Sequence, residues 1–345
     1  MIRSLLFVIP FALCLVTTAF AAEALRVLAW PGYAEPDLVK GFEQRTGSRV
    51  ELTLVDSDDD LWRKVNQNQG TDFDVLAVNV AELQRYIQQG LVVPIEPGAV
   101  PNHARQVPRF RDLSAIPGLV HGGKPYAIPY TYSDMGLIYD RKQIPVAPDS
   151  IRVLWDPRYR GKVLAYDGAS HNFSLAAQVM GKASPFRLAD RDWPAAVDRL
   201  IALRRNVLTF YGQPEESVAA FMEHGVALMF ANYGRQQLKM LREAGADVGY
   251  VIPREGVLAW LDCWAVTRGA RDSKLAAAWI DYLLEEAAGR ALVERQGLAS
   301  TTSPSPLHRA GDRLIWLEPV ENPERRIRLW RRIVSGDRAS KVLAP

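Results

Sequence analysis

The chain has 345 residues, too many for one small core, and at roughly 100–200 residues per domain it implies two compact units. Hydrophobic residues make up 48% and charged residues 23%, which excludes a mainly disordered or fibrous chain. Basic residues number 42 against 39 acidic ones, a net charge of +3, and there is no basic block of five or more, so nothing points to a nucleic-acid partner.

Residues 1–21 read as a signal peptide, with Arg3 in a positive n-region, an apolar stretch from Leu5 to Val16, and the cleavage pattern Ala19-Phe20-Ala21. The apolar stretch falls short of the roughly 20 residues that span a bilayer. Leu13 is bulky where lipoprotein processing at Cys14 would want a small residue. The expectation is a soluble protein exported to the periplasm. Removing Cys14 leaves Cys263, a small buried residue that has no partner for an internal disulfide.

In the mature chain, short strands alternate with helices. Leu25 to Trp30 predicts a strand; Glu35 to Thr46 predicts a helix with Pro36 in its first turn and Gly47 as its stop. Strand 49–55, helix 58–68, strand 73–79 and helix 80–89 follow. The run Asp56-Ser57-Asp58-Asp59-Asp60 imitates a calcium loop, but Leu61 stands where such a loop needs glycine and Gln67 where it needs glutamate. It reads instead as a helix N-terminus whose carboxylates sit at the positive end of the dipole. After a Pro- and Gly-rich stretch from Pro94 to Pro125 the pattern resumes with strand 162–166, helices near 171–180 and 193–204, strand 226–231, helix 235–243 and strand 248–252. A long helix is predicted from Ser273 to Gln296. This order calls for an α/β fold of two lobes, with mainly parallel sheets flanked by helices and joined by extended segments near 130–136 and 253–262.

Hydrolytic and metal chemistry find no support. There is no G-x-S-x-G elbow and no phosphate loop. The five histidines are scattered without zinc spacing, and Ser170-His171 are adjacent in sequence rather than facing each other as a nucleophile and base must. No cofactor, metal or catalytic residue is assigned. What stands out is a set of aromatics and carboxylates at strand ends. Trp30 and Tyr33 follow the first strand, where open α/β sheets bind ligands. Asp167 ends strand 162–166; taken alone it reads as a helix cap. Trp260 and Asp262 fall two apart on an extended segment, which puts indole and carboxylate on one face.

Several segments resemble the periplasmic spermidine/putrescine-binding proteins. They are Leu28-Ala29-Trp30-Pro31-Gly32-Tyr33, Gly123-Lys124-Pro125-Tyr126-Ala127-Ile128-Pro129-Tyr130, Leu154-Trp155-Asp156-Pro157-Arg158-Tyr159-Arg160-Gly161-Lys162, and Pro253-Arg254-Glu255-Gly256 leading to Trp260-x-Asp262. The resemblance implies a two-lobed type II periplasmic binding fold with a hinged ligand cleft. It also implies a monomer that delivers a small-molecule amine to an inner-membrane ABC permease. It sets lobe 1 at 22–132 plus 257–302 and lobe 2 at 133–256 plus 303–345. It assigns Trp30, Tyr33 and Trp260 to ring contacts and Asp262 to an amine. Tyr132 aligns with an aromatic of the first hinge, and Asp167 with the carboxylate that takes the far amine. This suits a cation: a buried ammonium needs a counter-charge, and aromatic faces each add about 0.5–2 kcal/mol.

The departures fall in the same pocket. The family's second far-end carboxylate aligns near Ser170, and a pocket tryptophan aligns with Ala231, followed by Asn232, Tyr233 and Arg235. Asn79 and Ala81 stand for a serine and a tyrosine. Asp134 is a candidate replacement carboxylate or a hinge residue paired locally; Arg235 is a candidate fork for a ligand carboxylate or a solvated helix residue. The candidate ligand set is therefore Trp30, Tyr33, Asn79, Tyr132, Asp134, Asp167, Ser170, Tyr233, Arg235, Trp260 and Asp262. Rival expectations keep the fold with an amino-acid, opine-like or other cationic ligand, or make the protein a ligand sensor or an exported enzyme.

Overall fold

The computed structural model describes residues 24–304 and 312–344, so the expected signal peptide and Cys14 lie outside it. The strands, in chain order, are β1 (Ala24–Ala29), β2 (Arg49–Leu54), β3 (Val75–Asn79), β4 (Val92–Val93), the small hairpin β5 (Val120–His121) and β6 (Lys124–Pro125), β7 (Ala127–Asp134), β8 (Leu137–Asp140), β9 (Val163–Tyr166), β10 (Val207–Tyr211), β11 (Leu228–Phe230), β12 (Val248–Val251), β13 (Val257–Thr267), β14 (Ala299–Ser300) and β15 (Leu314–Trp316). They form two main sheets. The first runs β14-β7-β13-β3-β1-β2, with β4 and β15 also on β13; the second runs β10-β9-β11-β8-β12.

Local chemistry explains the first βαβα unit. Helix Pro36–Thr46 starts after an extended Glu35 and ends at Gly47, whose φ of 72° is the left-handed conformation that glycine tolerates. The Ser57 hydroxyl caps helix Asp58–Gln67 by accepting from the Asp60 N–H at 3.2 Å. These crossovers make β2, β1 and β3 parallel neighbours. Antiparallel pairs enter with β7 and β13, which lie side by side in the first sheet. The chain crosses to the second sheet after β7, through Met135 and Gly136 into β8, and returns after β12 through Pro253–Gly256 into β13. It crosses again after β15, when helix Pro323–Val334 lays Leu329, Trp330 and Ile333 on the second core.

Each sheet has its own apolar core. Phe42, Tyr86, Trp264 and Trp279 fill the first, and Phe173, Phe186 and Trp193 the second. Among the described residues no helix is long and apolar enough to cross a membrane. One predicted element is corrected: Ser273 to Gln296 is not a single helix but two, Ser273–Leu283 and Glu286–Glu294. No glycine or proline marks the break. Leu284 is buried and Glu285, in an extended conformation, is held by Arg45, so tertiary contacts override a sequence of good helix formers.

Candidate functional site

Between the two sheets lies a cleft of about 570 Å³, the size of a small-ligand site. Its first wall is built at the carboxyl ends of β1 and β3. Trp30 and Tyr33 flank a tight turn, closed by the Tyr33 N–H donating to the Trp30 carbonyl at 3.2 Å. The turn needs Gly32: its φ is 81°, and a Cβ there would lie 2.4 Å from the Gln296 side chain. Asn79 ends β3 and caps the helix Val80–Gln88, its Oδ1 accepting from the Ala81 N–H at 2.9 Å. Asp262 on β13 stands opposite Asn79 in the ladder, just before an irregularity in the pairing with β7.

Asp262 is the best-held group of this wall. The Tyr33 hydroxyl donates to its Oδ2 at 2.5 Å and the Asn79 amide to its Oδ1 at 3.1 Å. Burial pushes its carboxyl up to about 6, and the two hydrogen bonds pull it back down without cancelling that rise. Burial and the Asp262 charge push the Tyr33 phenol well above its ordinary range, so it stays a donor. Trp260 sits two residues earlier on β13 and also reaches the cleft, donating its indole N–H to the Asn232 carbonyl at 3.2 Å.

The second wall is aromatic. Tyr166 at the end of β9 meets His171 edge-on at 5.2 Å and Tyr233 at 5.9 Å. The Tyr233 hydroxyl donates to the Gly212 carbonyl at 2.7 Å. Burial, with the charge of Arg326 behind it, lowers His171 to about 4, so this wall carries a neutral imidazole near pH 7. Ser170 lines the same wall, its carbonyl accepting from Arg326 at 2.9 Å. The charge balance of the cleft is one-sided. Seven carboxylates line it (Asp56, Asp58, Glu82, Glu215, Asp262, Glu318 and Glu324) against one guanidinium, Arg85. Arg85 is itself paired with Glu82 at 2.9 Å.

Of the sequence-derived candidates, the cleft gathers Trp30, Tyr33, Asn79, Ser170, Tyr233, Trp260 and Asp262. The other four lie outside its lining. Tyr132 is buried in the first core between Phe110 and Trp316, at 4.9 and 5.9 Å. Asp134 is buried and accepts from the Tyr250 hydroxyl, and Arg235 pairs with it at 3.5 Å while lying over the Tyr250 ring. Arg235, 11% exposed, is therefore an ion-pair partner of Asp134 rather than a solvated helix residue. Gly234 lets the chain turn there: its φ is 54°, and a Cβ would meet the Asp134 carbonyl at 2.2 Å. Asp167 is exposed and accepts from the Trp330 indole at 2.7 Å; Gly168, not Asp167, precedes the following helix.

Residues outside the sequence-derived ligand set complete the site: Asp58, Glu82, Arg85, Tyr166, His171 and Asn232. Tyr166 ends β9, Asn232 closely follows β11, and Glu82 is in the first turn after β3, so the strand-end rule would have found all three. Asp58 was visible only as one of several carboxylates at a helix start.

The model of the family described as bacterial extracellular solute-binding protein matches residues 37–312. The chain is 26% identical over 282 residues to the putrescine-binding periplasmic protein of Escherichia coli, covering 78% of this chain and 75% of that one. The structure of a lipoprotein of Treponema pallidum superposes with a TM-score of 0.76 at 16% identity, over 90% of this chain and 99% of the other. That of the spermidine/putrescine ABC transporter substrate-binding protein of Streptococcus pneumoniae superposes with a TM-score of 0.68 at 22% identity, over 81% and 84%.

Proposed function

Because the chain belongs to the bacterial extracellular solute-binding proteins, with their two-lobed α/β fold, we propose that it binds an organic amine in the cleft, as the periplasmic component of an ABC importer. The observation that carries this reading is the charge of the cleft: seven carboxylates to one guanidinium, with a buried Asp262 at its base. A carboxylate desolvated to this degree is stabilised by a cation, and Trp30, Tyr33, Tyr166, Tyr233 and Trp260 supply faces for an ammonium and its methylenes. The similarity to a putrescine-binding protein supports the same ligand class.

The proposed ligand set is Asp262, Tyr33, Asn79, Trp30, Trp260, Tyr233 and Ser170. Asp262 takes the ammonium; Tyr33 and Asn79 hold its carboxylate in place and keep it partly ionised. The proposed mechanism is capture by hinge closure, with the chain crossings at 135–136 and 253–256 absorbing the rotation. Export by a cleaved signal peptide, monomeric action and handover to an inner-membrane permease complete the reading. The test is a thermal-shift series with putrescine, cadaverine, spermidine and agmatine, alongside native mass spectrometry of gently purified protein. At a hundredfold excess over Kd, a ligand of the native form stabilises by about 2.7 kcal/mol. A melting curve unmoved by all four amines overturns the amine reading.

A further inference from the structure

No residue of the acidic run Asp56 to Asp60 is in the proposed ligand set, and its three first-turn carboxylates differ in their surroundings. Asp60 pairs with Arg63 and Lys64, and Asp59 is exposed away from the cleft. Asp58 lines the cleft. The cleft's guanidinium, Arg85, pairs directly with Glu82, donates to the Asp58 backbone carbonyl at 3.3 Å, and acts on the Asp58 carboxylate only at longer range. Among the described residues no basic side chain lies within ion-pair distance of the Asp58 carboxylate.

A second observation is independent of these carboxylates. Asn232, only 6% exposed, lines the same cleft, and its Oδ1 has no hydrogen-bond partner. Its backbone is already used, the N–H by the Tyr211 hydroxyl at 2.9 Å and the carbonyl by the Trp260 indole. A buried orphan acceptor beside an excess of negative charge calls for an N–H donor from a ligand. Outside the first wall's own carboxylates, none in the cleft is fully buried: Asp167 faces Trp330, Glu215 and Glu324 are exposed, Glu318 is half-buried, and His171 is neutral.

We propose that the cleft holds a linear dication, with one ammonium on Asp262 and the other on Asp58, both on the first wall, and with Asn232 Oδ1 accepting an N–H of the same ligand. The ligand then lies along the first wall, and the aromatic second wall closes over its methylenes. Burial, together with the charges of Glu82 and Asp262, outweighs the opposing charge of Arg85 and pushes the Asp58 carboxyl well above its ordinary range, a penalty that a bound cation relieves.

This assignment rests on the amine reading, and one titration set separates the two. Calorimetry compares putrescine with butylamine, its match minus one ammonium, on the wild type, Asp58→Asn and Asp262→Asn. The wild type should prefer putrescine by about tenfold, between the small worth of an exposed pair and the larger worth of a buried one. Asp58→Asn should abolish that preference with butylamine affinity changed less than about twofold, whereas Asp262→Asn should weaken both amines. Asp58→Ser, which keeps a good first-turn residue, gives the same result and guards against misfolding of the first variant. Asn232→Leu should weaken putrescine about fivefold, the loss of one acceptor. A wild type with no preference, or an Asp58→Asn variant that keeps it, overturns the second subsite and leaves the amine reading standing. A wild type that binds neither amine overturns both.

Discussion

Asp262, the proposed partner of the ammonium, sits in a site assembled from three distant segments of the chain. Its neighbours are Tyr33, 229 residues earlier in the chain, and Asn79, 183 residues earlier, and both donate to it. Replacing it by Asn keeps the shape and removes the charge, so amine affinity should fall by roughly 30-fold or more in calorimetry. Its carboxyl titrates at about 6, raised by burial. A cation binds the ionised form, so affinity should fall as pH drops through about 6, up to tenfold per unit for one proton, and level off above it. Tyr33→Phe removes a donor that favours the ionised form and should move that midpoint upward, measured as affinity against pH. Asp167→Asn should change affinity less than about twofold, because Asp167 serves Trp330 and not the cleft. A loss matching that of Asp262→Asn would put Asp167 back in the ligand set.

At the level of elements, the helix Ala169–Val179 presents Ser170, His171 and Ser174 to the cleft while Arg326 holds it from behind. Arg326 is fully buried, pairs with Glu321 at 2.8 Å, and donates to the Ser170 carbonyl and the Ser174 hydroxyl, both at 2.9 Å. The helix Pro323–Val334 thus fixes the second wall by a charge buried behind it. Arg326→Met leaves Glu321 and three acceptors, the Ser170 and Pro185 carbonyls and the Ser174 hydroxyl, without Arg326 and should cost about 3–5 kcal/mol in denaturant unfolding. A cost below about 1 kcal/mol would show that the network contributes no net stability. Trp330→Phe loses only the Asp167 bond and some apolar area, a smaller effect of about 1–2 kcal/mol.

At the scale of the whole molecule, the cleft carries an electrostatic strain that the proposed cation would relieve. The folded pKa of Asp262 lies above its unfolded value, so the folded form holds a proton that the unfolded form has lost between about pH 4 and 6. That contribution is complete below the unfolded pKa and lost as pH rises through 6. The unliganded protein should therefore lose up to about 3 kcal/mol from this residue over that window. Saturating amine should reverse the trend, a contrast that melting temperatures measured from pH 4 to 7 with and without ligand will reveal. Closure of the two lobes should shrink the radius of gyration in small-angle scattering when a proven ligand is added. An unchanged radius would argue against a hinged cleft.

The sequence by itself determined the local layer of this protein. Apolar strands separated by helices that start at Pro36 or Ser57 and stop at Gly47 specify the βαβα order, and the residues after β1 and on β13 mark the first wall of the cleft. These features are legible because they depend on residues a few positions apart. Tertiary structure decided which charges meet. It turned Asp58 toward the cleft and Asp167 toward Trp330, and it paired the buried Asp134 with Arg235. It broke the helix at Leu284 and Glu285, where Leu284 packs into the first core and Glu285 meets Arg45, 240 residues away in sequence. A carboxylate at a helix start or strand end looks the same along the chain wherever it points. Its direction, and with it the protein's ligand chemistry, is fixed only when two sheets built from distant segments pack against each other.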